Sequence, residues 1–275
     1  MSNKFDIFQY ISLVRFKGIP KLLDKINDKN YNVILDLEDS SKDIFSPKNT
    51  LFLKKQCRLG LDYLNKKKIK HPNIFLRING IKSKFYKEDI LSLNKNLSNN
   101  LKIKGIFVPK IEEYSSLLKI NKSLKLNEKK IKLIPIIESK KGFKDLEKIL
   151  TKDKKNKLIF AVHYGHFDYC LNNRFWPFPE PYHKEYWDIV FPIIKSCLKF
   201  KKKFIQTPYP LIDNPKLFYK SISYIKNNFK DLNLALSLVN FDSRFLKKKL
   251  KKKINLKLKK CHKIKSIKLD LQIRL

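Results

Sequence analysis

Short apolar segments recur along this chain, and longer stretches with helical spacing and many lysines separate them. The apolar segments are rich in β-branched and aromatic residues, which favours β-strands. Strands are predicted at Ile7–Val14, Asn32–Leu37, Asn73–Ile78, Gly105–Val108, Lys132–Ile137, Leu158–His163, Lys203–Gln206 and Leu234–Val239.

The intervals between these strands carry helical patterns. Helices are predicted at Ile19–Asn27, Lys48–Asn65, Tyr86–Asn94, Glu113–Lys119, Gly142–Leu150, Tyr186–Lys199 and Pro215–Asn228. In the last of these, Leu217, Phe218, Ile222 and Ile225 fall on one helical face, as a helix packed on a sheet requires. The alternation of strands with such helices predicts a parallel sheet.

The strand count and the glycine pattern favour a closed (β/α)8 TIM barrel. No glycine-rich phosphate-binding segment follows the first strand, so an open dinucleotide-binding sheet is disfavoured. We assign residues 1–245 to a barrel catalytic domain and residues 246–275 to a basic C-terminal extension in which lysine alternates with leucine and isoleucine. A solvated oligomerisation or packing helix, a membrane-surface segment or a nucleic-acid contact would each fit this extension.

The net charge of +37 would ordinarily suggest nucleic acid or an anionic membrane as partner. Only six of the 62 basic residues are arginine, however, and lysine occurs in nearly every segment. A bias that affects the whole chain indicates an unusual coding background more than one binding face. We therefore expect no nucleic-acid partner, while a basic binding protein for nucleic acid or anionic surfaces stays open as the alternative.

The N-terminus and the cysteines bear on location. The first residues combine a charged stretch with a short apolar one, without a cleavage site or a membrane span. The four cysteines, at positions 57, 170, 197 and 261, show no paired spacing. These features predict a cytoplasmic protein with reduced thiols.

Polar residues directly follow five consecutive predicted strands, where the active site of a (β/α)8 barrel is built. The segments are ILDLEDSS (34–41), IFLRINGI (74–81), GIFVPKIE (105–112), LIPIIESKKG (133–142) and LIFAVHYGHFDY (158–169). In this order, over roughly residues 33–170, they resemble the citrate lyase beta subunit and malyl-CoA lyase family of the phosphoenolpyruvate/pyruvate superfamily. Lys54 and Arg58, in KKQCR, are similar to a Lys and Arg pair on the family's following helix.

The resemblance implies that Glu138 and Asp168 coordinate Mg²⁺ or a similar cation such as Mn²⁺. Carboxylates suit hard cations, and Mg²⁺ keeps several waters, so two protein ligands leave positions for substrate oxygens. A salt bridge to a barrel lysine is the plain alternative for each carboxylate. The implied reaction is cleavage or formation of a carbon–carbon bond through a metal-stabilised enolate, on a 2-oxo or hydroxy acid or its CoA thioester.

The resemblance also assigns roles around the metal. Arg77 would grip the substrate carboxylate, because guanidinium offers a bidentate fork, although an ion pair with Asp36 or Glu38 is its alternative. Glu38 and Asp39 would organise metal-bound waters or orient Arg77, unless they serve a turn or a helix cap.

Three further positions after the strands invite a role in binding or proton transfer. Lys110 would neutralise an anionic substrate, or form a Schiff base if its pKa were depressed. Gly165 would permit close approach of ligand or an unusual backbone conformation. His163 and His166 flank it, as proton-transfer groups or as core residues.

The stretch RFWPFPEPYHKEYW (174–187) is dense in aromatic residues and proline. It would shape a pocket or pack against a neighbouring subunit, and we expect a homo-oligomer. A barrel of the same family with a diverged substrate remains a further alternative, because a fold does not fix a function.

Overall fold

The computed structural model describes residues 6–25, 31–67, 69, 71, 73–97, 101–208 and 215–238. Its eight strands are β1 Asp6–Ser12, β2 Tyr31–Asp36, β3 Ile74–Arg77, β4 Ile103–Val108, β5 Lys132–Ile137, β6 Ala161–Tyr164, β7 Lys203–Gln206 and β8 Leu234–Leu238. All neighbours pair in parallel, and β1 pairs with β8, so the described strands form a closed barrel. The predicted (β/α)8 fold is confirmed.

Helices lie between the strands. In the described residues they are α1 Ile19–Lys25, α2 Pro47–Lys66, α3 Tyr86–Leu97, α4 Tyr114–Leu124, α5 Lys140–Lys144, α6 Leu146–Asn156, α7 His166–Asn172, α8 Lys184–Lys199 and α9 Pro215–Asn228. The start of α2 shows the local logic: the Ser46 hydroxyl accepts a bond from the Asn49 amide, and Pro47 opens the first turn. None of the described helices is long and apolar enough to cross a membrane.

Some predicted boundaries were wrong. The first strand ends at Ser12 because Leu13–Gly18 forms a 3-10 helix. The single helix predicted at Gly142–Leu150 is two helices, α5 and α6, which meet at Asp145. Helix α7 was not predicted, and the C-terminal extension at 246–275 lies outside the described residues, so that assignment stays a prediction.

Two groups of buried apolar side chains follow from the alternation of strand residues. One fills the space between strands and helices, and the other fills the barrel interior. Interior members include Tyr10, Phe107 and Ile136. The next interior positions along several strands are polar, so the apolar core gives way to polar side chains at the carboxyl ends of the strands.

Candidate active site

A cavity of about 370 Å³ opens at the carboxyl ends of the strands. It is lined by Tyr10, Ser12, Asp36, Asp39, Ser40, Arg77, Ile136, Glu138, His163, Gly165, His166, Phe167, Asp168, Thr207 and Pro208. Five of the seven residues predicted as site residues therefore line one cavity, and the other two, Glu38 and Lys110, line the larger cavity beside it.

Arg77, at the end of β3, is held by carboxylates from the end of β2. Its Nε and Nη2 donate to Asp36 at 2.7 and 2.6 Å, and its Nη1 donates to Asp39 at 2.9 Å. Glu38 Oε2 lies 3.4 Å from Nη1. Guanidinium has five N–H donors, and these bonds use three of them, so one hydrogen on Nη1, on the nitrogen that Glu38 also faces, and one on Nη2 make no hydrogen bond within the described residues.

The electrostatics of this group differ from one carboxyl to the next. Burial raises the pKa of Asp36, but Arg77 and two backbone amides together lower it by a larger amount. The net pKa of Asp36 therefore lies below its ordinary value. Burial raises the pKa of Glu38 to about 8, with Asp39 and Asp36 adding to the rise against the opposing effect of Arg77. Asp36 is thus the ionised counter-ion of Arg77, whereas the ionised form of Glu38 is disfavoured and would be stabilised by additional positive charge nearby.

Glu138 follows β5 and is buried against the backbone of neighbouring strand ends. Its Oε2 accepts a bond from the Lys110 amide at 3.1 Å, and its backbone carbonyl accepts one from Asn172 at 2.8 Å. A Cβ added at Gly165 would lie 2.3 Å from Glu138 Cγ. The glycine is needed for this close approach and not for an unusual backbone angle, since its φ is −95°.

Asp168, in the first turn of α7, lines the same cavity as Glu138. Its Oδ2 lies 3.9 Å from Lys110 Nζ. Burial lowers the pKa of Lys110, but Asp168 and Glu138 raise it by more, so the net pKa is above its ordinary value. Schiff-base chemistry needs the opposite shift.

The cavity residues fit a hard divalent cation. Burial raises the pKa of Glu138 well above its ordinary value, and the nearby Glu38 and Asp168 add to that rise. Negative charge crowded in this way is relieved by a cation. No group of three or more His, Cys, Asp or Glu side chains converges within the described residues. Mg²⁺ is typically bound by one or two protein carboxylates, and waters or substrate oxygens complete its coordination sphere.

A buried polar network sets the path of the chain after β2. Lys54 Nζ donates to the carbonyls of Leu37 and Glu38 at 2.8 and 2.6 Å and to Asn79 Oδ1 at 2.7 Å. Asn79 Nδ2 donates to Asp89, which also accepts from Arg58. The Lys and Arg pair on α2 therefore supports the loop that carries Glu38 and Asp39.

His166 lies at the start of α7, closed in by aromatic rings. Its Nδ1 lies 3.0 Å from the Tyr164 hydroxyl, and its ring packs against Phe178 and Tyr186. Burial lowers its pKa to about 4. Phe178 belongs to the predicted aromatic loop, which therefore packs on the cavity wall, while Trp176 is 80% exposed.

The sequence prediction missed Tyr10 as a cavity residue and left the role of His163 open. Tyr10 sits two residues before the end of β1, and its ring lies 4.7 Å from the Arg77 guanidinium carbon. An aromatic residue inside an apolar run is indistinguishable from core by its pattern. The available signal is the interior alternation of Phe8, Tyr10 and Ser12, which places Tyr10 one step below the strand end.

A second, larger cavity of about 860 Å³ adjoins the first, and Asp39 lines both. Among the described residues that line it are seven lysines, at positions 42, 54, 82, 84, 110, 140 and 141, and four acids, at positions 38, 39, 43 and 112. The excess of positive charge suits an anionic ligand.

Comparison with known families identifies the chain. Residues 20–235 match the family described as HpcH/HpaI aldolase/citrate lyase. The chain belongs to this family. The resemblance found from the strand ends is thereby confirmed, and membership of an aldolase/citrate lyase family indicates a carbon–carbon lyase.

Solved structures similar to this HpcH/HpaI family chain share its fold at low identity. RipC from Yersinia pestis is 17% identical, with 94% of this chain and 96% of that chain covered and a TM-score of 0.62. The citrate lyase beta subunit from Mycobacterium tuberculosis, complexed with oxaloacetate and magnesium, is 12% identical, with 86% and 92% covered and a TM-score of 0.63. A citrate lyase from Burkholderia xenovorans is 10% identical, with 92% and 76% covered and a TM-score of 0.68. No curated protein matches this family member by sequence.

Proposed function

We propose that the protein is a magnesium-dependent carbon–carbon lyase, or the corresponding condensing enzyme, for a 2-oxo or hydroxy acid or its CoA thioester. One observation carries the proposal: Arg77, Glu138 and Asp168, from three separate strand ends, line one cavity. The M. tuberculosis citrate lyase beta subunit, which shares the fold, was solved with oxaloacetate and magnesium. That complex supports an acid and a divalent cation as ligands here.

Each charged residue of the cavity has a role in this proposal. Glu138 and Asp168 would hold the cation, for which Mn²⁺ is a substitute. A bound divalent cation supplies Lewis-acid polarisation of the substrate carbonyl and offsets the negative charge that develops as the bond breaks. Arg77 binds the substrate carboxylate through the two guanidinium hydrogens that Asp36 and Asp39 leave free.

The remaining predicted residues prepare and extend the site. Asp39 orients Arg77 through its bond to Nη1, while Glu38, 3.4 Å from the same nitrogen, orders water near the cation. Lys110 lies at the border of the two cavities and neutralises substrate anions, and Gly165 leaves space for Glu138.

The larger cavity supports a longer substrate. A CoA thioester carries phosphates, and the seven lysines of that cavity would attract them while the acyl group reaches Arg77 across Asp39. The CitE protein of M. tuberculosis was also solved in complex with magnesium, acetoacetate and coenzyme A together. We expect an acyl-CoA to be turned over with a lower KM than the corresponding free acid.

The proposal is tested with the purified full chain, oxaloacetate and a panel of acyl-CoA thioesters, with cleavage products measured by mass spectrometry. We expect activity that EDTA abolishes and Mg²⁺ restores. Glu138→Gln and Asp168→Asn should each lower kcat/KM at least about a hundredfold, as loss of a Lewis acid worth several kcal/mol predicts. Asp188→Asn, which changes an exposed carboxylate on α8, is the matched control.

Magnesium binding is measured separately by calorimetry, because no cleavage would be detected if the substrate of this protein were not among the compounds assayed. Both site variants should lose Mg²⁺ binding while the Asp188 variant keeps it. Cleavage that persists in EDTA, or in both site variants, would contradict the proposal.

A further inference from the structure

Backbone hydrogen bonds continue regularly past the last paired residues at two neighbouring strand junctions. Asp36 pairs with Arg77, and the next amide, that of Leu37, donates to the Arg77 carbonyl at 2.9 Å. In the same way Arg77 pairs with Phe107, and the Ile78 amide donates to the Phe107 carbonyl at 3.2 Å. A regular parallel ladder therefore directs the amide after a paired residue to the carbonyl of that residue's partner.

The junction after β4 departs from this pattern by one residue. Val108 pairs with Pro135, so a regular ladder continued by two residues would direct the Lys110 amide to the Ile136 carbonyl. The Ile111 amide donates to that carbonyl instead, at 3.4 Å. Lys110 is therefore an inserted residue, a β-bulge beside the cavity, and bulges next to active sites commonly redirect a group.

The insertion turns the Lys110 amide toward the cavity, where it donates to Glu138 Oε2 at 3.1 Å. The φ of Lys110 is 56°, in the left-handed region that residues with a Cβ rarely adopt. Lys125 and Lys157 share this conformation, but each ends a helix, where it is common. Lys110 lies between β4 and α4, so no helix end accounts for its backbone.

Two glycines leave the space that this arrangement needs. A Cβ added at Gly142, in α5, would lie 2.4 Å from the Ile111 carbonyl oxygen, so α5 packs directly against the residue after the bulge. Gly165 leaves equivalent space for Glu138 on the other side. The bulge and the carboxylate that it contacts are therefore fixed by close packing from both directions.

We propose that Lys110 is a positioning residue that acts through its main chain: its left-handed backbone aims an amide at Glu138 and holds that carboxylate ready for the cation. The inference rests on the proposed function for the presence of a cation. The Lys110 ammonium group, 3.9 Å from Asp168, has a separate effect. Glycine at this position would keep the first effect and remove the second, so experiment can separate the two.

The physical benefit is a carboxylate whose rotamer is set before the cation arrives. An amide donor on Oε2 restricts the Glu138 side chain, while Oε1 makes no bond to that amide. A ligand group that is already ordered loses less conformational freedom when it binds, which raises affinity without any new contact.

The test compares Lys110→Gly with Lys110→Val by calorimetric titration of the full chain with Mg²⁺. Both variants lack the ammonium group, but glycine adopts a φ of 56° without cost whereas valine strongly disfavours it. We expect Lys110→Gly to bind Mg²⁺ at least about tenfold more tightly than Lys110→Val, the size of one hydrogen bond to a charged group. Lys110→Ala should give an intermediate affinity, and it replaces the valine variant if that variant does not fold.

Lys130 provides the matched control. Its φ is also 56°, and it lines a cavity at the opposite end of the barrel, where the strands begin. Lys130→Gly should melt at a higher temperature than Lys130→Val, because the backbone preference is the same as at Lys110. The two Lys130 variants should nevertheless bind Mg²⁺ equally.

A second measurement requires no cation. Hydrogen exchange of the Lys110 amide, followed by NMR without added metal, reports its bond to Glu138. Glu138→Ala removes the acceptor and should speed exchange about tenfold or more. Glu138→Gln keeps an oxygen acceptor and should retain part of the protection.

The outcomes separate this inference from the lyase proposal. Tighter Mg²⁺ binding by the glycine variant than by the valine variant supports the positioning role even if no cleavage is found. Equal Mg²⁺ affinity in these two variants, or amide exchange that Glu138→Ala does not change, overturns this inference alone. A wild-type protein that binds no Mg²⁺ contradicts the proposed function and the positioning role together.

Discussion

Arg77 joins the ends of two strands through the carboxylates that surround it. Asp36, 1% exposed at its side chain, takes two charge-assisted hydrogen bonds from the guanidinium, and its remaining acceptors are filled by backbone amides. Such a pair is costly to break from one side because the surviving charge is left buried. The same residue is therefore needed for the integrity of the site and for the proposed grip on substrate.

A double-mutant cycle tests this coupling. Arg77→Met should lower the free energy of unfolding by about 3 kcal/mol, because it strands the Asp36 charge. Asp36→Asn in the Arg77→Met background should recover a large part of that loss, measured by urea denaturation. A single-variant cost below about 1 kcal/mol would mean that the ion pair is solvent-screened and worth little.

Residue chemistry explains what could be predicted at this scale. Glu138 and Arg77 are visible in the sequence because each is a polar residue at the end of an apolar run, and Asp168 because it follows the next run within four residues, where a barrel exposes such side chains. Tyr10 is not visible in the same way, because its place in an apolar run is that of a core aromatic residue. Only the folded chain brings it against Arg77 at the cavity.

At the scale of elements, α2 does more than cover the barrel. Lys54, on the buried face of α2, donates hydrogen bonds to the chain after β2. Arg58, one turn later, forms an ion pair with Asp89 of α3. The loop with Glu38 and Asp39 therefore depends on a helix that supplies neither a proposed ligand of the cation nor the proposed partner of the substrate carboxylate.

Lys54→Met tests this dependence. The variant removes three hydrogen bonds of a buried ammonium group, to the Leu37 and Glu38 carbonyls and to Asn79 Oδ1, so we expect a loss of about 2 kcal/mol in unfolding free energy and weaker Mg²⁺ binding. Lys55→Met, on the exposed side of the same helix, is the control and should change neither quantity. Unaltered stability in the Lys54 variant would show that water replaces the ammonium group.

The sequence pattern predicted the strands more reliably than the exact ends of the helices. Apolar periodicity located all eight strands, because burial on both faces of a parallel barrel leaves uninterrupted apolar runs. The break at Asp145 was missed because α5 and α6 continue one helical pattern across it. Helix α7 was missed because it has only seven residues, so the helical spacing of its buried residues, His166, Tyr169 and Cys170, covers a single turn and does not stand out as a pattern.

At the scale of the whole molecule, the charge of +37 is distributed and not confined to one segment. Residues 246–275 contain 13 of the 62 basic residues, so most of the positive charge belongs to the rest of the chain. This distribution supports compositional bias, while the alternative of a basic binding protein stays open to experiment.

A salt titration separates the two interpretations. We expect binding of the full chain to duplex DNA to be weak and to disappear at physiological salt, as non-specific phosphate contacts do. Removing residues 246–275 should reduce the slope of log K against log salt in proportion to the charges lost. Tight binding that survives physiological salt and requires the extension would favour the nucleic-acid role instead.

The pairing of β1 with β8 has a consequence for biosynthesis. Asp6–Gln9 pairs with Ala235–Leu238. The barrel therefore cannot close during synthesis until β8 has been made and can pair with β1. Until then both lateral edges of the growing sheet offer unpaired amides and carbonyls, which invites aggregation between nascent chains. Premature termination between Asp168 and Leu234 would leave that gap permanent, so the truncated product should be a substrate for chaperones and proteases even though it contains both acidic residues proposed to hold the cation.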